Sequence, residues 1–307
     1  MYAQRNSLTG EANAWTGDWI FRRQRLAIID DQFRASRPDI ILFQDVMQRE
    51  DSSSESDLDI LAVGSLRGYA AHSLPVANYD ETQEIRSMAV AATKPLQFAE
   101  FQSDQRQMWN IGTDGYLTLD VLQGSEQPIV IFNVQMPSKI GKKFLWYSFV
   151  EERISDFITK GKYCAKRLIV GGFLPADQSA TRFDRFLSTL NLKDTSQGIC
   201  QIIADCHTAT LQNEIYLADQ SEDAPVGVTD RILISKDATV YSASRNLANV
   251  ETNDSLAKQF KLQRMWASHR FGWQATIKLP TCDDDELGIL PKLTPEESMP
   301  ATPSLTK

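Results

Sequence analysis

Arg167-Leu-Ile-Val-Gly-Gly-Phe-Leu-Pro-Ala-Asp177 is the stretch whose reading decides the fold. Leu168-Ile169-Val170 is a short apolar, β-branched run of the kind that forms a buried strand. Gly171-Gly172 ends the run and lets the backbone turn sharply or approach another group closely. Pro175 prevents simple continuation of the strand, and a helix is expected from Ala180 to Leu190. Locally this is a tight strand-to-helix turn. Its wider meaning comes from the stretches arranged around it.

Upstream, Met1 to Gly17 is polar and has no clear period. Trp19 to Phe33 carries Ile20, Leu26, Ile29 and Phe33 at helical spacing, with the arginines expected to face out. Pro38 breaks that helix. Asp39-Ile-Ile-Leu-Phe-Gln-Asp-Val46 then reads as a buried strand, and Asp51 to Asp59 as a Ser/Asp-rich loop before a mixed apolar segment. Gly68–Ser73, Ser87–Thr93, Tyr116–Leu122 (alternating in and out) and Pro128–Val134 are expected strands, and Lys143–Lys160 a helix. Downstream, Ile215–Leu217, Arg231–Ile234, Thr239–Ser242 and Phe271–Leu279 are further strands. Many short strands with few helices between them imply two packed sheets with helices on their outer faces.

The chain has 307 residues, 42% of them hydrophobic, enough for one large domain or two small ones. No apolar run is long enough to span a membrane, and no signal peptide opens the sequence, so the compartment stays open. A formal net charge of -8 argues against broad electrostatic binding to nucleic acid. It leaves room for a metal-dependent phosphodiester enzyme, because bound cations reverse the local field. Cys164, Cys200, Cys206 and Cys282 show no CxxC spacing and so do not suggest zinc. A Cys200–Cys206 bridge is open to an exported chain, and buried free thiols are the default. Thr281–Lys307, with Asp283-Asp-Asp-Glu286 and four prolines, is expected to be a disordered acidic tail after a domain spanning 1–280. Its Thr-Pro pairs at Thr294 and Thr302 are candidate phosphorylation or partner sites in an otherwise solvated tail.

The order of segments resembles the endonuclease/exonuclease/phosphatase (DNase I-like) superfamily over about residues 19–279. Pro38-Asp-Ile-Ile-Leu-Phe-Gln-Asp-Val46 is similar to its "PDI-x-x-LQEV", and Arg67-Gly-Tyr69 to its "GY" strand. Ile131-Phe-Asn-Val-Gln135 is similar to its "x-x-N-x-H", and Leu168-Ile-Val-Gly-Gly-Phe-Leu174 to its "x-x-x-GDFN". Thr229-Asp-Arg-Ile232 and Ala267-Ser-His269 are similar to "IDYI" or "YDRI" and to "SDH". The resemblance implies an α+β fold, a four-layer α/β/β/α sandwich of two mainly antiparallel sheets with outer helices. It also implies divalent-metal phosphoester chemistry, with magnesium offsetting charge at phosphorus and a His–Asp pair in acid/base catalysis.

Read position by position, this chain keeps few of those groups. The metal-binding glutamate of "LQEV" is Asp45, one methylene shorter, which draws the carboxylate back by roughly 1.5 Å. The histidine of "N-x-H" is Gln135, which can hydrogen-bond to a phosphate but does not titrate near neutral pH. The aspartate and asparagine of "GDFN" are Gly172 and Leu174, neither of which can serve a hard cation. The aspartate of "SDH" is Ser268. The asparagine that ends the family's first strand has no good counterpart, since no strand precedes Asn6. What the resemblance retains is His269 as the acid/base, Asp230 to orient it, and Glu84, aligned loosely, as a second metal-side carboxylate.

Two readings follow. In the first, the joint loss at Gln135, Gly172, Leu174 and Ser268 marks a pseudo-enzyme whose fold binds a phosphate-containing ligand or a protein partner, because groups that act as a unit leave no proportionate remnant of activity. In the second, an active magnesium-dependent phosphodiesterase uses Asp45, Glu84, Asp177 or Asp230 as ligands and His269 as acid/base. Its substrate class would be sphingomyelinase-like, from a faint likeness at Asp205–Tyr216, or nuclease-like. His72 and His207 carry no motif and read as structural or surface residues. Trp109, Trp146, Trp266 and Trp273 read as packing residues rather than base-stacking platforms.

Overall fold

The computed structural model describes residues 19–49, 56–79, 84–94, 96–105, 116–123, 127–136, 140–175, 180–199, 206–208, 227–246, 250–251, 264–265 and 272–290, with Asp45 and Glu84 described by their backbones only. The elements in chain order begin with helix α1 (Trp19–Ser36), strand β1 (Ile40–Arg49), helix α2 (Asp57–Ala62), β2 (Tyr69–Tyr79), β3 (Glu84–Thr93), β4 (Gln97–Gln105), β5 (Tyr116–Gln123) and β6 (Ile129–Gln135). Helix α3 (Ile140–Gly161) then crosses over to β7 (Leu168–Phe173), followed by α4 (Ala180–Thr189), β8 (Leu192–Asp194), β9 (Asp230–Ser235), β10 (Thr239–Asn246), β11 (Val250–Glu251), β12 (Arg264–Met265) and β13 (Gly272–Lys278).

A six-stranded sheet runs in the order β4-β5-β6-β7-β9-β8. Only β6 and β7 pair parallel, as their helical crossover requires. The other layer holds the antiparallel set β1-β3-β2 and the hairpin-like pair β10-β13. Three apolar clusters define four layers. Leu26, Ile29 and Phe33 of α1 and Leu58 and Leu61 of α2 pack on Ile41, Val46, Ala89 and Ala91. Between the sheets lie Val90, Ala92, Ile131, Ile169 and Ile234, with Val240 and Ile277 packed against them, which puts β10-β13 in the same layer as β1-β3-β2. On the far face, Phe132, Val170 and Leu233 pack against Ile154, Ile158 and Phe186 of the outer helices. The expected α/β/β/α sandwich is the observed one.

Local chemistry explains the elements. Ser56 caps α2: its hydroxyl accepts from the Asp59 amide (3.1 Å), and the Asp59 carboxylate accepts from the Ser56 amide (3.0 Å). In β1 a bulge sets Gln44 and Asp45 against one residue of β3, between the Phe43–Ala89 and Val46–Ser87 pairs. The extra residue returns Val46 to the helix-facing side shared by Ile41. One arginine departs from expectation. Arg25 is buried on the inner side of α1, where the Asp57 carboxylate favours its charge. Its desolvation still holds the guanidinium down to about 10.

Several expectations need correction. The strands β4 and β8 were not legible in the sequence. The former is a polar edge strand with an irregular register at Phe98/Glu100, and the latter has three residues. Ile215–Leu217 lies outside the described residues. The tail does not begin at Thr281. Cys282 is buried and disulfide-bonded to Cys164, Leu287 bridges to Cys164, and Leu290 packs against the core. Residues 291–307, with Thr294 and Thr302, lie outside the described residues. Free thiols are also not what is found: Cys164, Cys206 and Cys282 are all disulfide-bonded, while Cys200 lies outside the described residues. No described helix is long and apolar enough to cross a membrane.

Candidate functional site

Two of the expected residues meet on one row of the six-stranded sheet. Gln135, the last residue of β6, pairs with Tyr116 of β5 and with Phe173 of β7, and Phe173 pairs with Asp230, the first residue of β9. Two strand spacings separate Gln135 from Asp230, roughly 10 Å between backbones. Both continue the alternation that faces the other sheet, since Ile131 shares Gln135's parity and Ile232 and Ile234 share Asp230's. Both are half-buried, so the row forms the rim of the inter-sheet core.

Asp230 is held by a hydroxyl relay. Its carboxylate accepts from the Thr229 hydroxyl at 2.9 Å. Its amide and that of Thr229 both donate to the Thr208 hydroxyl oxygen at 2.9 Å, and Thr208's own amide donates to the Gly227 carbonyl at 3.0 Å. Thr208 and Thr229 are buried. Thr208 falls in the Asp205–Tyr216 stretch, but nothing in the sequence gave it a role of its own. Arg231 points to the opposite face, where its guanidinium meets the buried Asp194 carboxylate and donates to the Leu174 (2.9 Å) and Val228 (2.8 Å) carbonyls over the Phe183 ring. It therefore braces the end of the sheet and does not face the row.

The Gly172–Leu174 segment is built differently from a metal-binding turn. Gly172 has φ +131°, a conformation that side chains rarely adopt. A Cβ there would overlap the Val134 carbonyl oxygen and the Gln44 amide nitrogen, and would lie 3.1 Å from the Val134 carbonyl carbon. Gln44 occupies that space from the other sheet and donates to the Val134 carbonyl at 3.1 Å. Beside it, the buried Asn133 amide donates to the Phe43 (2.8 Å) and Ala89 (3.2 Å) carbonyls and stitches the sheets together. Leu174 is 0% exposed and belongs to the helix-facing core. Its amide donates to the Thr229 carbonyl at 2.7 Å. In the sequence Gln44 and Asn133 fall within the resembled segments Pro38–Val46 and Ile131–Gln135, but neither was given a role there.

Asp45 sits in the β1 bulge, next to Gln44 and so at the same end of the sandwich as Gln135. Glu84 does not join it. It opens β3 opposite Arg49 and Tyr79, four residues along the strand from Met88, which faces the bulge, or roughly 13 Å. His269, Ser268 and Asp177 lie outside the described residues. Magnesium requires several oxygen ligands in near-octahedral array. The described donors on the row are one carboxylate, Asp230, and one amide, Gln135, while the Gly172 position is closed to any side chain. The described side chains of the row do not by themselves make such an array. Among the described residues no cluster of three or more His, Cys, Asp or Glu side chains forms.

A second polar pair joins edge strand β2 to β5 of the other sheet, with the His72 side chain 39% exposed. Asp120 is 0% exposed, and neither carboxylate oxygen has a hydrogen-bond partner. His72 Nδ1 lies 3.9 Å from it, and the imidazole stacks on Phe98 at 4.0 Å between ring centroids. Burial pushes the Asp120 carboxyl up to about 7 and pulls the His72 imidazole down. The alternation of Tyr116–Leu122 left Asp120 unmarked in the sequence, and it is buried because both faces of this sheet are covered. His207 contributes its backbone carbonyl to Arg245 at 3.3 Å. Trp146 is a core residue, and Trp273 donates to the Thr195 hydroxyl at 2.8 Å. Trp109 and Trp266 lie outside the described residues.

No family model and no curated protein sequence matches the chain. Solved structures do. An endonuclease/exonuclease/phosphatase family protein from Bacteroides thetaiotaomicron aligns with a TM-score of 0.64 at 13% identity, covering 90% of this chain and 95% of its own. A mannosyl-6-phosphatase from the same organism aligns at 0.62 and 12% identity, covering 84% and 92%. The human Nocturnin catalytic domain with a bound sulfate anion aligns at 0.59 and 14% identity, covering 84% and 87%. At this divergence the likeness establishes the fold alone: the chain shares the α/β/β/α sandwich of these endonuclease/exonuclease/phosphatase family structures.

Proposed function

We propose that this chain is a degenerate endonuclease/exonuclease/phosphatase-like protein, a pseudo-enzyme that uses the rim of its sandwich to bind a phosphate-containing ligand or a protein partner. The observation that carries the reading is the backbone at Gly172. Its positive φ and the close approach of the Val134 carbonyl and the Gln44 amide leave no space for an acidic side chain. The loss is therefore built into the packing of two strands from different sheets. Leu174, sunk into the helix-facing core, supports the same reading. Gln135 remains as a neutral hydrogen-bonding group on the row, suited to holding an oxygen and unsuited to moving a proton near neutral pH.

One observation favours the second reading, an active phosphodiesterase using Asp230 and His269 with Asp45 and Glu84 on the metal side. Asp230 is oriented by Thr229 and anchored through Thr208, the kind of support an acid/base partner needs. The two readings separate in a hydrolysis assay with bis-p-nitrophenyl phosphate, run with magnesium, manganese, calcium or EDTA beside a His269→Ala control. The pseudo-enzyme reading expects no turnover above that control. Metal-dependent turnover that disappears in His269→Ala would overturn it and establish a rebuilt site.

A further inference from the structure

The segment after the last strand is fastened to the domain at several points. Cys282 and Cys164 are buried partners in a disulfide separated by 118 residues in sequence. Gln127, in the turn before β6, grips the Cys282 backbone from both sides: its amide nitrogen donates to the Cys282 carbonyl, and its amide oxygen accepts from the Cys282 amide at 2.8 Å. The buried Arg167, in the short 3₁₀ turn that enters β7, donates to the Pro280 carbonyl at 3.0 Å and to the Pro128 carbonyl at 3.3 Å. The Gly288 amide donates to the Tyr163 carbonyl at 2.9 Å, Lys166 pairs with Glu286, and Leu290 rests on the core. These contacts converge on the α3-to-β7 connection, the start of the strand that ends in Gly171-Gly172.

We infer that Pro280–Leu290 is a covalent clasp that secures the entry to β7, and that the chain matures in an oxidising compartment. The clasp supplies the geometry: two buried sulfurs are presented to each other by backbone that the Gln127 and Arg167 side chains hold independently of the bond. The compartment follows from cysteine usage. No described cysteine is free, Cys206 is also disulfide-bonded, and paired structural cysteines persist in oxidising surroundings and are rare in reducing ones. Closing a loop this long constrains the unfolded chain strongly, so the bond acts chiefly on stability and not on the chemistry of the rim.

The test uses the full chain expressed in an oxidising and in a reducing bacterial compartment. Tryptic maps run without reductant should show a peptide containing Cys164 linked to one containing Cys282 in the oxidised material. Thiol alkylation under denaturing conditions should find no free cysteine in it. Reduction should lower the Tm by roughly 7 °C and expose the 280–290 segment to limited proteolysis. Because Cys282→Ser can fail to fold, Gln127→Ala provides a second readout. It leaves both sulfurs in place and should speed reduction by dithiothreitol several-fold. Free, alkylatable Cys164 and Cys282 in folded oxidised protein would overturn the clasp. So would a reduced protein with unchanged Tm and protease resistance. An equal yield of folded protein from the reducing compartment, with all thiols free, would overturn the assignment of compartment.

Discussion

Restoring a carboxylate at position 172 is the sharpest test of the site's architecture. Gly172→Asp would place an acid where the resemblance expects a metal ligand, but the backbone there forbids it. Two costs are separable. A non-glycine residue held at φ +131° carries strain of about 1–2 kcal/mol. The new Cβ must also displace the Val134 carbonyl and the Gln44 amide, an overpacking cost of about 2–3 kcal/mol. Together they predict a loss of about 4 kcal/mol for Gly172→Ala, and at least as much for Gly172→Asp. For a chain of this size that is roughly 6 °C in Tm. Gly227→Ala is the internal control. Gly227 has φ +140°, yet a Cβ there meets nothing within 4 Å. It should show the strain alone, roughly 2–3 °C. The assay is thermal unfolding by circular dichroism, with and without magnesium. The reasoning is refuted if Gly172→Ala loses no more than Gly227→Ala. It is also refuted if Gly172→Asp keeps the parent Tm and gains several degrees on adding magnesium, as a real metal site would by mass action.

Other outcomes follow from particular groups. Asp120 titrates at about 7 when folded against 3.8 for the unreacted group, so the unfolded chain releases this proton first as pH rises. Its contribution to stability therefore falls between about pH 4 and pH 7 and is level above that. Asp120→Asn should remove that slope and be more stable at pH 8 by on the order of 4 kcal/mol, read from urea unfolding at pH 5 and pH 8. A variant with the parent's pH slope would show that Asp120 is not the group responsible. Arg231→Ala leaves the buried Asp194 carboxylate without its cation and should cost about 3–5 kcal/mol. A loss under 1 kcal/mol in the same unfolding assay would contradict the bracing role. Ser56→Ala removes the α2 cap and should cost about 1 kcal/mol, and Ser56→Thr should recover most of it.

The order of strands and helices was legible in the sequence because it rests on local chemistry. The Leu168-Ile169-Val170 run, the stripe of Leu26, Ile29 and Phe33, and the Pro38 break each announce their element within a few residues. The resemblance built on those segments led to the sandwich that is found. Gln135 and Asp230 were also identified there, and register alone puts them on one row. Where sequence reading fell short, the deciding contact joins residues far apart in the chain. Arg25 turns inward because Asp57 waits beyond the next strand. Asp120 went unmarked because alternation cannot report that both faces of a sheet are covered. Cys164 and Cys282, 118 residues apart, carry no spacing signal, so a segment of acidic and proline-rich composition read as tail although its first ten residues are clasped to the domain. The departure at Gly172 was visible as a missing aspartate. Why no side chain can return there was decided only when β1 of one sheet was laid against β6 and β7 of the other, and Gln44 and the Val134 carbonyl filled the space.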